Sequence, residues 1–473
     1  FRMRAFLALL ATPALGFSAP ATLASAPVAT KHAPAHAFDH ILEGLTAQAD
    51  GDIAAAKECF TAATQLSSED ESVTAKAYEM LSLCHSSEGA LRQASEALIS
   101  ALEHTTDSAL EHTTEDAMQK EHLSLQLGRV FERMGDGAAA INALLEIQPP
   151  SSAAKLMLAN LLSDCFGDTA TALDLYRSVC NGEEPVCDEE LCESADEVAL
   201  WLCGVAASSQ GAHIEAAACF ERAAELLAGE EDADITLHQL IAAERAGKPD
   251  AELDAMRAHL PEYARRCWEY VRRTPMGETL HPSLYAFTHE MLQLAVNSSV
   301  TAADLGTTGE GGLVLEFGVF HGKSIRMLAE AFGSEQSVHG FDTFSGLPID
   351  WHAESAGSYS THGELPPAPA HVHYHVGTFS ASLPSFLSAH PGPIRLMNVD
   401  CDLYESTRDI FEQVHTRIVP GTVIVFDEYV MNEHWEDDEF KAFQEAVATH
   451  GWAYEYLGVS VVSKQAVVRI VGV

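Results

Sequence analysis

The sequence predicts an α/β fold with a seven-stranded, mostly parallel sheet, C-terminal to an all-α domain of helical repeats. Degenerate copies of one glycine-containing phrase recur between residues 39 and 262, with apolar residues at helical spacing around them. From residue 313 onward, short apolar runs alternate with helical patterns. Such alternation is typical of a sheet that helices cover on both faces. With 473 residues, the chain is long enough for two or three domains.

The repeated phrase is clearest at residues 51–63, Gly-Asp-Ile-Ala-Ala-Ala-Lys-Glu-Cys-Phe-Thr-Ala-Ala. Its copies begin 32 to 46 residues apart. This spacing scatters around the period of about 34 residues of tetratricopeptide repeats, which the segment resembles. Each copy predicts a helix–turn–helix pair, in which small residues let the helices approach and one large residue fills the gap. The predicted turns are at Gly51, Gly89, Gly135, Gly167, Gly211 and Gly247, and the large residues are Phe60, Tyr176 and Phe220.

Stacked helix pairs bury a shared apolar face and form a solenoid, whose concave side commonly holds a peptide or protein. The repeats therefore predict a protein partner. The alternative is a scaffold that packs only against the second domain, or against its own copy in a homodimer.

The N-terminal segment has a composition of its own. Residues 1–38 contain no Asp or Glu, and Arg2 and Arg4 precede the apolar run Ala5–Ala11. This pattern predicts a targeting presequence for a plastid or for the secretory pathway, since so short a run cannot span a bilayer. No later run is long enough to span a membrane either, which predicts a soluble mature chain. The predicted domains are the presequence 1–38, the repeats 39–262 and the α/β domain 263–473.

The charge balance is strongly acidic, with 27 basic and 69 acidic residues and a net charge of −42. A surface of this sign repels phosphate backbones and anionic lipid heads, so neither nucleic acid nor a membrane surface is an expected partner. The ten cysteines are scattered; only Cys180, Cys187 and Cys192 cluster, and their spacing matches no common zinc pattern. Unpaired thiols are expected there, with a disulfide as the alternative in an exported protein.

A turn after the first predicted strand indicates a nucleotide-type ligand. Gly318 allows a sharp turn and a close approach to a ligand, and Gly322 removes a side chain at the start of the next helix. The free N–H groups at that helix end would face a ligand carboxylate. The second strand ends at Asp342, 24 residues after Gly318. An open α/β sheet places at that point the acid that accepts the hydroxyls of a ribose. The seven strands are predicted at 313–317, 337–341, 372–376, 393–399, 421–426, 453–459 and 465–471.

Four phrases, each falling where a strand should end, carry a family resemblance. They are Glu316-Phe-Gly-Val-Phe, Gly340-Phe-Asp-Thr-Phe-Ser-Gly-Leu-Pro348, Asp400-Cys-Asp-Leu-Tyr-Glu-Ser-Thr407 and Phe426-Asp-Glu-Tyr429. With them, residues 263–473 resemble a class I S-adenosylmethionine-dependent methyltransferase of Rossmann-like fold, and most of all the macrocin O-methyltransferase family.

The resemblance implies S-adenosylmethionine as the cofactor. Ser324 would hydrogen-bond the carboxylate of its methionine portion, Asp342 would bind the ribose, and the turn after the third strand would lie near the adenine. The implied cofactor-binding residues are Glu316, Gly318, Phe320, Gly322, Ser324, Asp342, Gly377, Thr378 and Phe379.

Four carboxylates at neighbouring strand ends, Asp400, Asp402, Asp427 and Glu428, predict a metal site. Such groups repel one another unless a cation or protons intervene. An all-oxygen ligand set suits Mg²⁺. The resemblance implies Asp400, Asp427 and Glu428 as ligands, with Glu428 standing where Asp or Asn is usual. Asp402 has three interpretations: a neighbour of the metal, a general base, or the N-cap of a helix that begins near Leu403.

The expected reaction is an in-line transfer of the methyl group to a hydroxyl of a small molecule, and the resemblance implies a glycosylated one. The metal would orient two substrate oxygens and lower the pKa of the attacking one. The predicted catalytic residues are Asp400 and Asp402. Catechol-type relatives use a lysine where this chain has Leu403, so Asp402 or a histidine must act as the base. The alternative function is a repeat-based interaction scaffold whose methyltransferase domain is inactive.

The segment 343–371 is rich in Gly, Pro, His and Tyr and predicts a lid over the acceptor. Within it, Trp351, Tyr359 and His362 are the predicted acceptor contacts. The alternating residues His371, His373 and His375 resemble a zinc triad, but their strand supplies no carboxylate or cysteine. They are expected to be polar residues of a half-exposed strand toward the edge of the sheet.

Overall fold

The computed structural model describes residues 37–66, 71–106, 114–181, 192–227, 232–299 and 312–473. The chain divides into two compact units, residues 1–154 and 155–473. The helical repeats occupy the first unit and the beginning of the second, so the predicted boundary at residue 262 lies within the second unit. Apart from its last two residues, the predicted presequence lies outside the described residues, as does Cys187.

Within its described residues, the first unit consists of helices and the turns that join them. Its helices are α1 (Ala37–Ala49), α2 (Ile53–Gln65), α3 (Glu71–Ser87), α4 (Leu91–Thr106), α5 (Thr114–Arg133) and α6 (Gly137–Leu145). The predicted turns at Gly51, Gly89 and Gly135 join these helices in pairs, with φ angles of 80°, 75° and 66°. Glycine adopts this left-handed region without steric cost, which explains why the repeated phrase begins with it.

The second unit begins with three further pairs. Their helices are α7 (Ser152–Phe166), which starts three residues before the unit, α8 (Thr169–Cys180), α9 (Cys192–Ser209), α10 (His213–Leu226), α11 (Ala233–Arg245) and α12 (Asp250–Ala258). Gly167, Gly211 and Gly247 are again left-handed and again lie at the turns. The helices α13 (Glu262–Val271) and α14 (Pro275–Glu278) and a 3₁₀ turn (Pro282–Tyr285) follow. The prediction of tetratricopeptide-like helix pairs is confirmed.

Two of the predicted large residues pack in the same way. Phe60 and Phe220 are fully buried. A Cβ placed on Gly44 would lie 2.5 Å from the ring of Phe60, and one placed on Gly204 would lie 2.5 Å from the ring of Phe220. The phenyl ring thus fills the space beside a glycine on the preceding helix, which lets the two helices of a pair approach closely.

The aspartate that follows the glycine in the repeated phrase caps the second helix of its pair. The carboxylates of Asp52, Asp136 and Asp168 each accept a hydrogen bond from the backbone N–H three residues further on. An N-cap aspartate satisfies an N–H group that has no partner within the helix. The Gly-Asp pair of the sequence phrase therefore encodes the turn and the start of the next helix together.

The rest of the second unit is an α/β sheet with its covering helices. The strands are β1 (Leu313–Phe317), β2 (Val338–Asp342), β3 (Val372–Val376), β4 (Ile394–Val399), β5 (Val423–Phe426), β6 (Ala453–Val459) and β7 (Ala466–Gly472). The helices are α15 (Thr288–Ser298), α16 (Lys323–Phe332), α17 (Phe379–Ala389), α18 (Tyr404–Val414) and α19 (Glu439–His450), with a second 3₁₀ turn (His415–Arg417). Each strand begins and ends within two residues of its prediction.

The strand order is β3-β2-β1-β4-β5-β7-β6, in which β1 to β5 are parallel and β7 is antiparallel to both neighbours. This confirms the predicted seven-stranded, mostly parallel sheet. The central strands are apolar on both faces because helices cover both. On one face, Val314 of β1 and Leu396 of β4 pack with Leu292 of α15 and Leu328 of α16. None of the described helices is both long and apolar enough to cross a membrane.

Candidate functional site

Backbone hydrogen bonds of the sheet hold three of the predicted site residues, Gly318, Asp400 and Asp427, side by side. One step beyond the strands, the backbone N–H of Gly318 donates to Phe341 O (3.0 Å) and that of Asp400 to Phe317 O (2.8 Å). The N–H of Asp427 likewise donates to Val399 O (3.0 Å). The parallel ladder therefore continues until these residues, and their loops leave from adjacent points at the carboxyl edge. This is the edge at which an open α/β sheet binds its ligand.

Gly318 has no room for a side chain. Its φ is 86°, and a Cβ placed on it would lie 1.6 Å from the carbonyl oxygen of Asp400. The loop after β1 therefore crosses directly over the end of β4. We call residues 318–322 the cofactor loop, after the role that the sequence predicted for them.

Asp342 shapes this loop. Its Oδ2 accepts hydrogen bonds from the backbone N–H groups of Val319 (2.8 Å) and Phe320 (2.9 Å), and its Oδ1 accepts one from Phe344 (2.7 Å). The predicted ribose acid thus also holds the loop that follows β1, which the spacing of the sequence did not reveal.

Glu316 is fully buried beneath the cofactor loop. Ser324 Oγ donates to its Oε1 (3.1 Å), and Asn398 Nδ2 donates to its Oε2 (3.2 Å). Burial raises the pKa of Glu316 to about 8, although both hydrogen bonds act in the opposite direction. Ser324, predicted to bind the cofactor carboxylate, therefore has Glu316 as its partner in this structure.

The start of α16 is covered by the predicted lid. Gly322 is the N-cap of this helix, with a φ of 76°. A Cβ placed on it would lie 3.0 Å from Pro366, and Arg326 donates to the carbonyl oxygen of Pro367 (3.0 Å). Segment 343–371 thus reaches the helix end that the sequence predicted would face a ligand carboxylate.

The four predicted acids lie together, and neighbouring cations balance their negative charge poorly. Burial, followed by repulsion from Asp427, raises the pKa of Asp400 well above its usual range. Burial and Glu428 raise the pKa of Asp402 to about 8. The same two causes raise the pKa of Asp427 to about 6, although Gln465 Nε2 donates to its Oδ1 at 2.7 Å. Ionising the carboxyl groups of this cluster therefore costs free energy, and a bound cation would reduce that cost.

Asp402 is not a helix cap. The helix α18 begins at Tyr404, its N-cap is Leu403, and no side chain caps it. Asp402 lies one residue earlier with a left-handed φ of 61°. The N-cap interpretation is therefore wrong, because the turn between β4 and α18 places this carboxylate outside capping position. The other two interpretations, neighbour of a metal and general base, stay open.

Sequence reasoning missed two acids at the start of α19. Glu439 is fully buried, its Oε1 accepts from the backbone N–H of Cys401 (3.2 Å), and its Oε2 has no hydrogen-bond partner among the described residues. Burial, then Asp427 and Asp402, raises the pKa of Glu439 well above its usual range. In the sequence, both acids belong to an acidic run at 436–439, which is typical of an exposed helix start.

The second missed acid, Asp438, anchors the lid. Its Oδ2 accepts from Trp351 Nε1 (3.1 Å) and from His352 Nε2 (2.8 Å). The ring of His352 also stacks on His434, with centroids 3.7 Å apart. These contacts hold Trp351, a predicted acceptor contact, beside the acids.

The site is a cleft of about 580 Å³. The predicted site residues that line it are Gly318, Phe320, Asp342, Thr378, Phe379, Asp400, Asp402, Asp427 and Glu428, with Trp351 and Tyr359 of the lid. Glu316, Gly322, Ser324, Gly377 and His362 are not among its lining residues. The rings of Phe320 and Tyr359 meet edge to face, with centroids 5.9 Å apart, and both are partly exposed.

The charged side chains among the described residues that line the cleft are all negative. The described residues that line it include seven carboxylates and no Lys, Arg or His. Lys464 lies 3.9 Å from Glu428, but it does not line the cleft. The potential in the cleft therefore favours cations over anions.

No group of three or more His, Cys, Asp or Glu side chains within the described ranges is arranged to hold a metal ion. The chemistry of the acids is nevertheless compatible with Mg²⁺, because every donor is oxygen and a bound cation would favour the ionised carboxylates, whereas burial and mutual repulsion favour the protonated ones. Elsewhere, β3 is the edge strand, as predicted for the histidines. His375 Nε2 lies 3.1 Å from His339 Nδ1, whereas His371 contacts the carbonyl oxygen of Ala329.

Solved structures of two kinds, methyltransferases and repeat proteins, resemble the chain at low sequence identity. The calicheamicin methyltransferase CalS11 is 19% identical, with 43% of this chain and 90% of that chain covered and a TM-score of 0.30. The O-methyltransferase NovP is 18% identical, over 40% and 81% of the two chains, with a TM-score of 0.30. A tetratricopeptide repeat protein from Parabacteroides merdae is 14% identical, over 63% and 99%, with a TM-score of 0.36.

No curated protein resembles the chain closely enough to count as a match. A family model does match within the second unit, over residues 315–429, and its description is methyltransferase domain. The matched segment begins in β1 and ends just after the acids that follow β5, so it contains the cofactor loop, Asp342 and the four predicted acids. Residues 315–429 thus carry a methyltransferase domain.

Proposed function

We propose that the chain is an S-adenosylmethionine-dependent O-methyltransferase of the macrocin O-methyltransferase type, acting on a hydroxyl of a small, glycosylated molecule. The observation that supports this most is the close approach of Gly318 to Asp400, which brings the cofactor loop and the acid cluster into one cleft within the methyltransferase domain.

S-adenosylmethionine would lie along the cofactor loop. Asp342 would accept the ribose hydroxyls with the lone pairs that its three backbone partners leave free. Thr378 and Phe379 would lie near the adenine, because they line the cleft where β3 ends. Glu316 and Ser324 would support the loop from beneath rather than bind the cofactor directly.

The acids would hold Mg²⁺ through Asp400, Asp427 and Glu428. Mg²⁺ commonly binds one or two carboxylates together with waters and substrate oxygens, so a preformed cluster of three protein ligands is not required. When bound, the ion would lower the pKa of a substrate hydroxyl and orient it. Asp402 lines the same cleft and is the base that we propose for the hydroxyl proton, since Leu403 cannot serve.

The acceptor would be neutral or cationic. Seven carboxylates and no cationic side chain among the described lining residues disfavour a phosphorylated or carboxylated acceptor. Trp351 and Tyr359 offer ring faces that can pack on a sugar or accept a cation. A glycoside or amino glycoside fits this lining better than a sugar nucleotide.

The direct test is methyl transfer from S-adenosylmethionine with a labelled methyl group. Matched neutral, amino and phosphorylated glycosides would be offered to the full chain, and labelled products identified by mass spectrometry. We expect label in neutral or amino glycosides and none in the phosphorylated ones. If no acceptor in this panel or in a metabolite extract is labelled, the scaffold with an inactive methyltransferase domain becomes the better account.

Chelation tests the metal separately. EDTA is expected to abolish turnover and to leave the affinity for S-adenosylmethionine nearly unchanged, because the cofactor loop contacts the cofactor without the metal. Asp427→Asn should have the same effect, since it removes a charged ligand and keeps the shape of the side chain. Turnover in Mg²⁺ and in EDTA, with cofactor affinity by calorimetry, measures both.

The matched control is Asp437→Asn, the same chemical change at an exposed acid that does not line the cleft. This variant should retain full activity. Undiminished turnover in EDTA would contradict the metal assignment and leave the acids as base and structural carboxylates.

A further inference from the structure

The turn between repeat helices α7 and α8 packs against the methyltransferase domain, within the second unit. Cys165 contacts the apolar core that contains β1, α15 and α16. A Cβ placed on Gly167 would lie 2.5 Å from His289 Nδ1, and Thr169 Oγ1 donates to Glu290 Oε1 at 3.4 Å. This repeat pair is therefore in close contact with the helix that covers the central strands.

Asp164, two residues before the end of α7, makes the polar contact that matters most. Its carboxylate forms an ion pair with the ammonium group of Lys323. It also accepts hydrogen bonds from the side chain and the backbone of Thr288, at the start of α15. Burial would raise the pKa of Asp164, but Lys323 and Thr288 outweigh it and lower the pKa. The carboxylate is therefore held in its charged form between the starts of α15 and α16.

Lys323 connects this contact to the site. It is the first residue of α16 and directly follows Gly322, the last residue of the cofactor loop. Its charge also reaches the acid cluster. It opposes the effect of burial and of Glu428 on the pKa of Asp427. A shift of the Lys323 side chain would therefore act on both the loop and the acids.

We infer that Asp164 is a positioning residue for the cofactor site: through Lys323, repeat helix α7 fixes the start of α16 and the cofactor loop that precedes it. The repeats are then a structural part of the cofactor site, in addition to any partner that they hold. The identity of the ligand in this inference rests on the proposed function, whereas the effect of Asp164 on the loop does not.

The test compares Asp164→Asn with Asp174→Asn in the full chain. Asp174 lies on the neighbouring repeat helix α8 and pairs at 3.0 Å with Arg177, and its side chain is 77% exposed. Asp164→Asn should weaken S-adenosylmethionine binding by roughly three- to tenfold, the range of a partly buried ion pair. It should also speed hydrogen exchange of residues 317–326 in the ligand-free protein. Asp174→Asn should change neither.

The pair itself is tested by exchanging the charges. The double variant Asp164→Lys with Lys323→Asp should recover much of the affinity and of the exchange protection that each single variant loses. If Asp164→Asn does not fold, Lys323→Met removes the same pair from the other side and should show the same losses.

The outcomes separate this inference from the proposed function. If the unaltered chain binds no S-adenosylmethionine but Asp164→Asn still speeds exchange at 317–326, the proposed function fails and the positioning role stands. If the cofactor binds and Asp164→Asn changes neither affinity nor exchange, the inference is overturned. A lower melting temperature with unchanged affinity and exchange would also overturn it, because the pair would then be purely structural.

Discussion

Gly318→Ala is expected to abolish S-adenosylmethionine binding, with a loss of about a hundredfold or more in affinity. The added Cβ would lie 1.6 Å from the carbonyl oxygen of Asp400, so the cofactor loop or the end of β4 must move. The left-handed φ of 86° adds about 1–2 kcal/mol of strain for any residue with a side chain. Calorimetric titration measures the affinity, and thermal unfolding shows how much of the loss is general destabilisation.

Gly333→Ala is the matched control. Gly333 has a φ of 73°, but a Cβ there would meet no atom within 4 Å. It should lose only the conformational strain, about 1–3 kcal/mol of stability because its ψ of 174° lies in a region essentially restricted to glycine, and keep its cofactor affinity. If Gly318→Ala binds the cofactor as well as Gly333→Ala does, the close approach of the two loops is not required for binding.

Asp342→Ala should weaken S-adenosylmethionine binding by at least about 1.5–3 kcal/mol, the worth of a hydrogen bond to a charged group. The variant loses the proposed ribose acceptor and leaves three backbone N–H groups without their partner, so the cofactor loop is no longer held. The α/β core does not depend on this side chain, and circular dichroism should show an intact fold while calorimetry reports the loss.

Asp350→Ala provides the comparison, because Asp350 is an exposed aspartate whose carboxylate accepts one backbone N–H, from Ala356 at 2.8 Å. It does not line the cleft, and its loss should leave cofactor affinity unchanged. An unchanged dissociation constant in Asp342→Ala would rule out both the ribose assignment and the role in holding the loop.

Local sequence chemistry was sufficient to predict the strands and much of the cleft. A strand end, a glycine and an acid are adjacent in the chain, so Gly318, Asp342, Asp400 and Asp427 could be placed at one edge from their order alone. The glycines of the repeats could be predicted as turns equally well, because a turn with positive φ between two helices requires that residue type.

Contacts between distant segments could not be predicted in this way. Nothing near Ser324 indicates that its hydroxyl donates to Glu316, and nothing in the run at 436–439 indicates that Glu439 is buried against Cys401. The second compact unit includes most of α7, whose side chains Asp164 and Cys165 pack on the methyltransferase domain. Only the folded chain shows which side chains meet across such distances.

The left-handed glycine turns have a consequence for how this repeat region tolerates changes in length. Within each helix pair the connection is two to four residues long, whereas the connection 146–151, which joins two successive pairs and lies wholly within the described residues, is longer. A tight turn with one glycine cannot absorb an added residue without displacing the next helix, but a longer surface connection can. Insertions and deletions should therefore be rare within these turns, and the irregular spacing of the sequence phrase goes with repeat helices that range from 9 to 20 residues in length.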